Sequence, residues 1–108
     1  MAQQIIQVNF KYSLSREEYE NTVAPMGQTF ADVPGCLWKI WIVNEENSEA
    51  GGIYLFADEA SVAEFKESDL VKGVLAHPSL SDFSLKQFDV LESLSRTTRA
   101  PLPQAAAA

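Results

Sequence analysis

His77 is the only histidine in the chain. No other side chain has an ordinary pKa so near neutrality, which makes it the first candidate for a proton acceptor. Its position at the end of a helical stretch also allows a plainer role, capping the last carbonyls. A dense aromatic set, Trp38, Trp41, Tyr54, Phe56 and Phe88, falls on segments that read as strands. It serves core packing, or it walls a flat apolar cavity with a few polar groups at its rim. In the second case Trp38, Trp41 and Phe56 contact a planar ligand, and Trp38 or Tyr54 donates a hydrogen bond to a developing oxyanion. Lys39 stabilises that anion if it turns inward; beside two tryptophans it can instead snorkel to the surface. Cys36, without a base beside it, reads as a small buried hydrophobe. Glu45, Glu46 and Glu49 read as a solvated turn. There is no glycine-rich nucleotide-binding turn, and Gly51-Gly52 enters a strand, where a bulge or tight turn is the simpler reading.

The elements that must hold these residues follow from periodicity. Apolar residues alternate at 6, 8, 10 and 12, which predicts a half-buried first strand. Ser15 and Glu18 form a capping-box pattern, with Leu14 and Tyr19 as a hydrophobic staple. Tyr19, Val23, Met26 and Phe30 then share one helical stripe, interrupted by Pro25, which should kink the helix. Cys36 to Val43 predicts a second strand with Trp38 and Trp41 on opposite faces. A third strand, Gly52 to Phe56, is apolar on both faces. Asp58 and Ser68 cap two further helical pieces, the second weakened by Gly73. Phe83 to Leu91 completes the set as a fourth strand.

This β-α-β-β-α-β order predicts a ferredoxin-like α+β fold, a four-stranded antiparallel sheet with both helices on one face. The third strand is then central, and its two-sided apolar character requires the other face to be covered as well. No element remains to cover it, so a homodimer packed sheet against sheet is expected. One tryptophan should serve the helix-side core and the other the subunit contact.

The chain has 108 residues, 46% of them hydrophobic and 21% charged, which fits one globular domain. Residues 1–94 read as that domain and 95–108 as a flexible, Pro- and Ala-rich tail. A net charge of −7 repels phosphate backbones and makes nucleic acid a poor partner. A single cysteine excludes an internal disulfide and a thiolate zinc site, and a single histidine excludes multi-histidine metal centres. An all-carboxylate metal site stays formally open. No apolar run is long enough to span a bilayer, and Met1-Ala2-Gln3-Gln4 lacks the basic start of a signal peptide. A cytoplasmic protein is expected.

The stretch Pro34-Gly35-Cys36-Leu37-Trp38-Lys39-Ile40-Trp41, followed by Glu49-Ala50-Gly51-Gly52-Ile53-Tyr54-Leu55-Phe56 and Asp58-Glu59, resembles the YdhR-type family of monooxygenases. The similarity runs from the first strand to about Leu94 and includes Pro25 and the Phe88-Asp89-Val90 close of the last strand. It implies a dimeric α+β barrel. It also implies a relation to cofactor-independent oxygenases of aromatic polyketide or quinol-like compounds. Such chemistry suits so bare a toolkit, because a deprotonated hydroquinone can itself pass an electron to oxygen. The protein then need only orient the ring, exclude water and assist proton removal, with no cofactor or metal. A non-catalytic small-molecule-binding module of the same fold is the main alternative, and a proton-shuttling isomerase or lactone-forming enzyme a third.

Overall fold

In the computed structural model, residues 3–103 are described. The alternation that begins at Ile6 sets one face of strand β1 (Gln4–Tyr12) into the core, with Ile6, Phe10 and Tyr12 buried. β1 pairs antiparallel on one side with β3 (Glu49–Phe56) and on the other with β4 (Leu80–Asp89). β2 (Cys36–Asn44) pairs with the far edge of β3, so the strand order is β2-β3-β1-β4 and β3 is central. This is the expected ferredoxin-like sheet.

Ser15 accepts from the Glu18 backbone while the Glu18 carboxylate accepts from the Ser15 N–H, completing the capping box that starts α1 (Arg16–Val23). Those bonds hold the Glu18 carboxyl below its ordinary range. Pro25 breaks the helix as expected. A single 3-10 turn, Ala24–Met26, separates α1 from α2 (Gly27–Ala31). Asp58 and Ser68 cap α3 (Glu59–Lys66) and α4 (Asp69–Leu75).

Two strands start earlier than periodicity indicates. Ser48, in the left-handed region at φ 50°, closes the Glu45–Asn47 turn and lets pairing begin at Glu49. On the opposite edge the register slips between Asn9 and Lys11, with Asp82 at φ 54°, so β4 reaches back to pair Leu80 with Tyr12. A bulge of this kind erases the alternation by which a strand is read.

The expected boundary after residue 94 falls inside a further helix, α5 (Glu92–Thr97), closed by a Glu92–Arg96 ion pair at 3.4 Å. Beyond it the chain reaches the helix-free face of the sheet, where the Trp38 indole N–H donates to the Pro101 carbonyl at 2.7 Å. The reading that nothing in the chain could cover this face is therefore corrected at one end. Leu55, beside Trp38 in the β2–β3 register, is fully buried there. Ile40 and Phe88 on the same face remain 50% and 49% exposed. Residues 104–108 of the expected tail lie outside the described residues.

Two glycines carry opposite expectations. A Cβ at Gly51 would meet the Val8 carbonyl oxygen at 1.8 Å, so β1 and β3 would have to part. Gly51→Ala should cost about 2 kcal/mol or more in urea unfolding. A Cβ at Gly73 meets nothing within 4 Å, and Gly73→Ala should stabilise α4 by about 0.5–1 kcal/mol in the same measurement.

Candidate functional site

The buried residues on the helix side form two clusters. One gathers Ile6, Phe30, Tyr54, Phe56, Val62 and Phe65; the other gathers Phe10, Tyr12, Tyr19 and Ala50, and Val8 packs against both. A cavity of about 270 Å³ lies between sheet and helices, bounded by Phe30, Tyr54 and Phe65 from the first cluster and Phe10 and Tyr19 from the second. Fully closed and dry, a void of this size would cost roughly 6 kcal/mol at about 24 cal/mol per Å³. That approaches the entire net stability of a small domain. The wall residues Trp41, Leu75 and Leu85 are 38%, 54% and 40% exposed, so the space opens to solvent there and the true cost is smaller. A core of this size does not give up so much packing by accident of composition.

Besides the Tyr19 and Tyr54 hydroxyls, the polar side chains on the wall among the described residues are few: Thr22, Lys39, Lys66, His77 and Ser84. Lys66 is engaged, donating to Gln87 Oε1 at 2.9 Å. Lys39 does not snorkel. Its strand position pairs with Tyr54 on the helix side, and its stem lies over Gly52, where a Cβ would come within 2.6 Å of Lys39 Cε. The ammonium nitrogen then sits 3.5 Å from the Phe30 ring centroid, 3.4 Å from that of Trp41 and 4.7 Å from that of Tyr54. Among the described residues no carboxylate pairs with it and no side chain or backbone group hydrogen-bonds it. Burial brings its pKa down to about 7, opposed weakly by Cys36. The three ring faces also favour the cation, so the amine is held between two opposing environments.

The remaining candidates separate. Trp41 stands edge-on to Phe30 at 5.3 Å on the cavity wall, whereas Trp38 lies on the opposite face of β2. Tyr54 is on the wall, packed against Phe30 and Phe65, and burial raises its hydroxyl pKa well above the ordinary value. Phe56 is wholly buried beneath Tyr54 and Phe65 and takes no part in the wall. Cys36 directs its thiol to the Trp38 carbonyl at 3.5 Å, and burial pushes its pKa up, so it is a poor nucleophile.

His77 does reach the wall, but its Nδ1 accepts the Ser79 backbone N–H at 3.1 Å. That bond occupies the Nδ1 lone pair, so Nε2 is the ring nitrogen left to meet a ligand. Lys39 belongs to β2 and His77 directly precedes β4, the two edges of the sheet. Both line the one cavity, from its two sides. Periodicity did not single out Phe10, Tyr19, Phe65 and Phe83 as wall residues, because a side chain facing a cavity and one facing a packed core share the same alternation. Among the described residues no three His, Cys, Asp or Glu side chains gather as a metal ligand set.

A half-buried lysine with a lowered pKa makes stability depend on pH. The unfolded chain holds the Lys39 proton up to an ordinary pKa near 10.5, whereas the folded chain releases it near 7. Folding is therefore penalised below pH 7, and stability from this group rises between about pH 7 and 10. Lys39→Met should raise stability by about 1–3 kcal/mol at pH 6, with a gain that shrinks by pH 9, in paired urea titrations.

A search of curated proteins returns no significant match. Among solved structures, the chain is similar to a protein of unknown function from Nitrosomonas europaea, with a TM-score of 0.73 at 16% identity over 97% of this chain and 98% of that one. It is similar to SnoaB, a cofactor-independent oxygenase from Streptomyces nogalater, with a TM-score of 0.67 at 15% identity over 83% of this chain and 94% of that one. It is also similar to the heme-degrader MhuD from Mycobacterium tuberculosis, solved with two hemes in its active site, with a TM-score of 0.62 at 14% identity over 81% and 95% of the two chains. At such identities these likenesses establish the fold alone. The family model described as "Putative mono-oxygenase ydhR" matches residues 5–101, and the chain belongs to that family.

Proposed function

We propose that the protein is a cofactor-independent monooxygenase acting on an aromatic, quinol- or polyketide-like small molecule held between sheet and helices. The observation that carries this reading is the aromatic cavity itself, in a member of a mono-oxygenase family, with one unpaired amine on its wall. At about 270 Å³ it is near the lower end of the roughly 300–1000 Å³ usual for small-molecule sites and suits a compact fused-ring compound. Trp41, Phe30 and Tyr54 offer ring faces and edges against which such a compound can lie. The fold shared with SnoaB supports the same chemistry.

The reaction asks little of the protein. An ionised hydroquinone or anthrone-type ring gives one electron to dioxygen, the two radicals combine to a ring-carbon peroxide, and this takes up a proton and loses water across its C–H and O–O bonds, leaving a carbonyl on the ring. The cavity holds the ring in one orientation and keeps water from the intermediate. In this reading His77, on the wall at the β4 side, bonds a second oxygen of the ligand through Nε2.

The working form in this reading is a homodimer. Ile40 and Phe88 on the open sheet face, with Leu91 (70% exposed) and Leu94 (66% exposed) after it, form an apolar surface that a second copy would cover. Its place is the cytoplasm, where a lone thiol stays reduced. No helix is long and apolar enough to cross a membrane among the described residues.

Oxygen uptake on a panel of hydroquinones and anthrones, with metal chelated and no flavin added, should exceed the uncatalysed rate for at least one compound. Trp41→Ala should lower that excess about tenfold or more. Binding without any excess uptake would turn the reading to a binding module. Ile40→Glu should halve the mass seen in sedimentation velocity, whereas a wild-type chain that sediments as a monomer at micromolar concentration would remove the dimer.

A further inference from the structure

We propose that Lys39, whose Nζ lies against the cavity wall, is the base that ionises the ligand, taking the proton of an acidic ring hydroxyl or enol and staying in place as the counter-ion. The inference deepens the functional reading above and rests on its placing a hydroxylated ring in the cavity.

The geometry sets Lys39 apart from every other lysine. It is held on the helix side of the sheet with its stem across Gly52, and its Nζ lies against Phe30 and Trp41 at the cavity wall. Nothing among the described residues supplies a counter-charge. The titratable groups that face it are the Cys36 thiol on its own strand and the Tyr54 hydroxyl on β3, both biased by burial toward their neutral forms. Farther along the wall stand Tyr19, whose hydroxyl burial pushes up to about 12, Lys66, bonded to Gln87, and His77 across the sheet. Among the described residues no carboxylate lines the space.

Burial on the cavity wall disfavours the charge on this amine, and in its uncharged form Nζ carries a free lone pair. When a ring hydroxyl arrives, its O–H bond breaks, an N–H bond forms on Nζ, and the pair left behind is an ammonium beside an aromatic oxyanion. No electron is transferred in this step and no co-reactant is needed. The product is better matched to the site than the empty state. Three ring faces surround the new cation, and the oxyanion supplies the partner it otherwise lacks. The occupant is thereby narrowed to rings bearing an ionisable hydroxyl or enol; an ether of the same shape gains nothing from Lys39.

The test is an anaerobic titration at pH 8.5 with 2-naphthol and, in parallel, its methyl ether. Wild-type protein should bind naphthol with the naphtholate absorption spectrum and favour it over the ether by tenfold or more. Calorimetry in buffers of different ionisation enthalpy should show no net proton release, because the ligand's proton stays on Lys39. Lys39→Arg keeps a cation but cannot accept the proton, so any naphtholate it binds should release about one proton per ligand to the buffer. Lys39→Met should bind naphthol un-ionised and no better than the ether. A neutral naphthol spectrum in the wild-type complex, or a naphtholate spectrum retained by Lys39→Met, overturns the proposal. So does an NMR titration of the free protein in which the Lys39 amine ionises alongside the exposed lysines, a readout that needs no ligand. Because oxygen is absent throughout, these results stand apart from the oxygen-uptake assay. Ionised binding without uptake would sink the oxygenase reading and leave Lys39 in its role, and uptake unaffected by Lys39→Met would do the reverse.

Discussion

Strand β3 must be kept dry on both faces, and the rest of the molecule is arranged around that constraint. Tyr54 and Phe56 point to the helices, while Leu55 points the other way and is no less buried. A central strand of this kind cannot sit at an edge or face water, so β1 and β2 must flank it and a layer must lie on each side. On the helix side the layer belongs to the chain and is interrupted only by the cavity. On the far side it is local: Trp38 and the C-terminal segment ending at Pro101 shelter one end, and Ile40 and Phe88 are left at the surface.

Glycine at two successive positions of the same strand lets it do more than fill a core. Gly51 allows the β1 backbone to come close, and Gly52 opens a channel on the helix face along which the Lys39 stem runs. A β-branched residue at 52 would give a better-packed sheet and no lysine in the cavity. The strand therefore forgoes packing where the site is built, and the same holds for the gap between the two core clusters. A domain of this size has a net stability of only several kcal/mol, so both concessions are large relative to what it can lose.

The electrostatic design has a corresponding asymmetry. The chain is acidic overall, yet among the described residues no carboxylate lines the cavity, and its titratable groups are tyrosines, two lysines and His77. The excess of negative charge lies outside the cavity, and the cavity wall carries an amine with no carboxylate beside it among the described residues.

Local sequence determined the elements and their order, because capping boxes, alternation and a proline inside a helix act over a few residues and need no tertiary partner. It also determined that Trp38 and Trp41 lie on opposite faces, because residues an odd number of positions apart in a regular strand point opposite ways. Tertiary structure alone decided which face was which, and with it the direction of Lys39. Whether a lysine snorkels or turns inward depends on the space over Gly52 and on Phe30 arriving from α2, neither of which is encoded in the neighbours of residue 39. The same is true of His77, whose free ring nitrogen follows from one backbone N–H two residues on, and of the C-terminal segment. Its helix has no apolar stripe to announce it, and its docking depends on an indole donor more than sixty residues earlier in the chain.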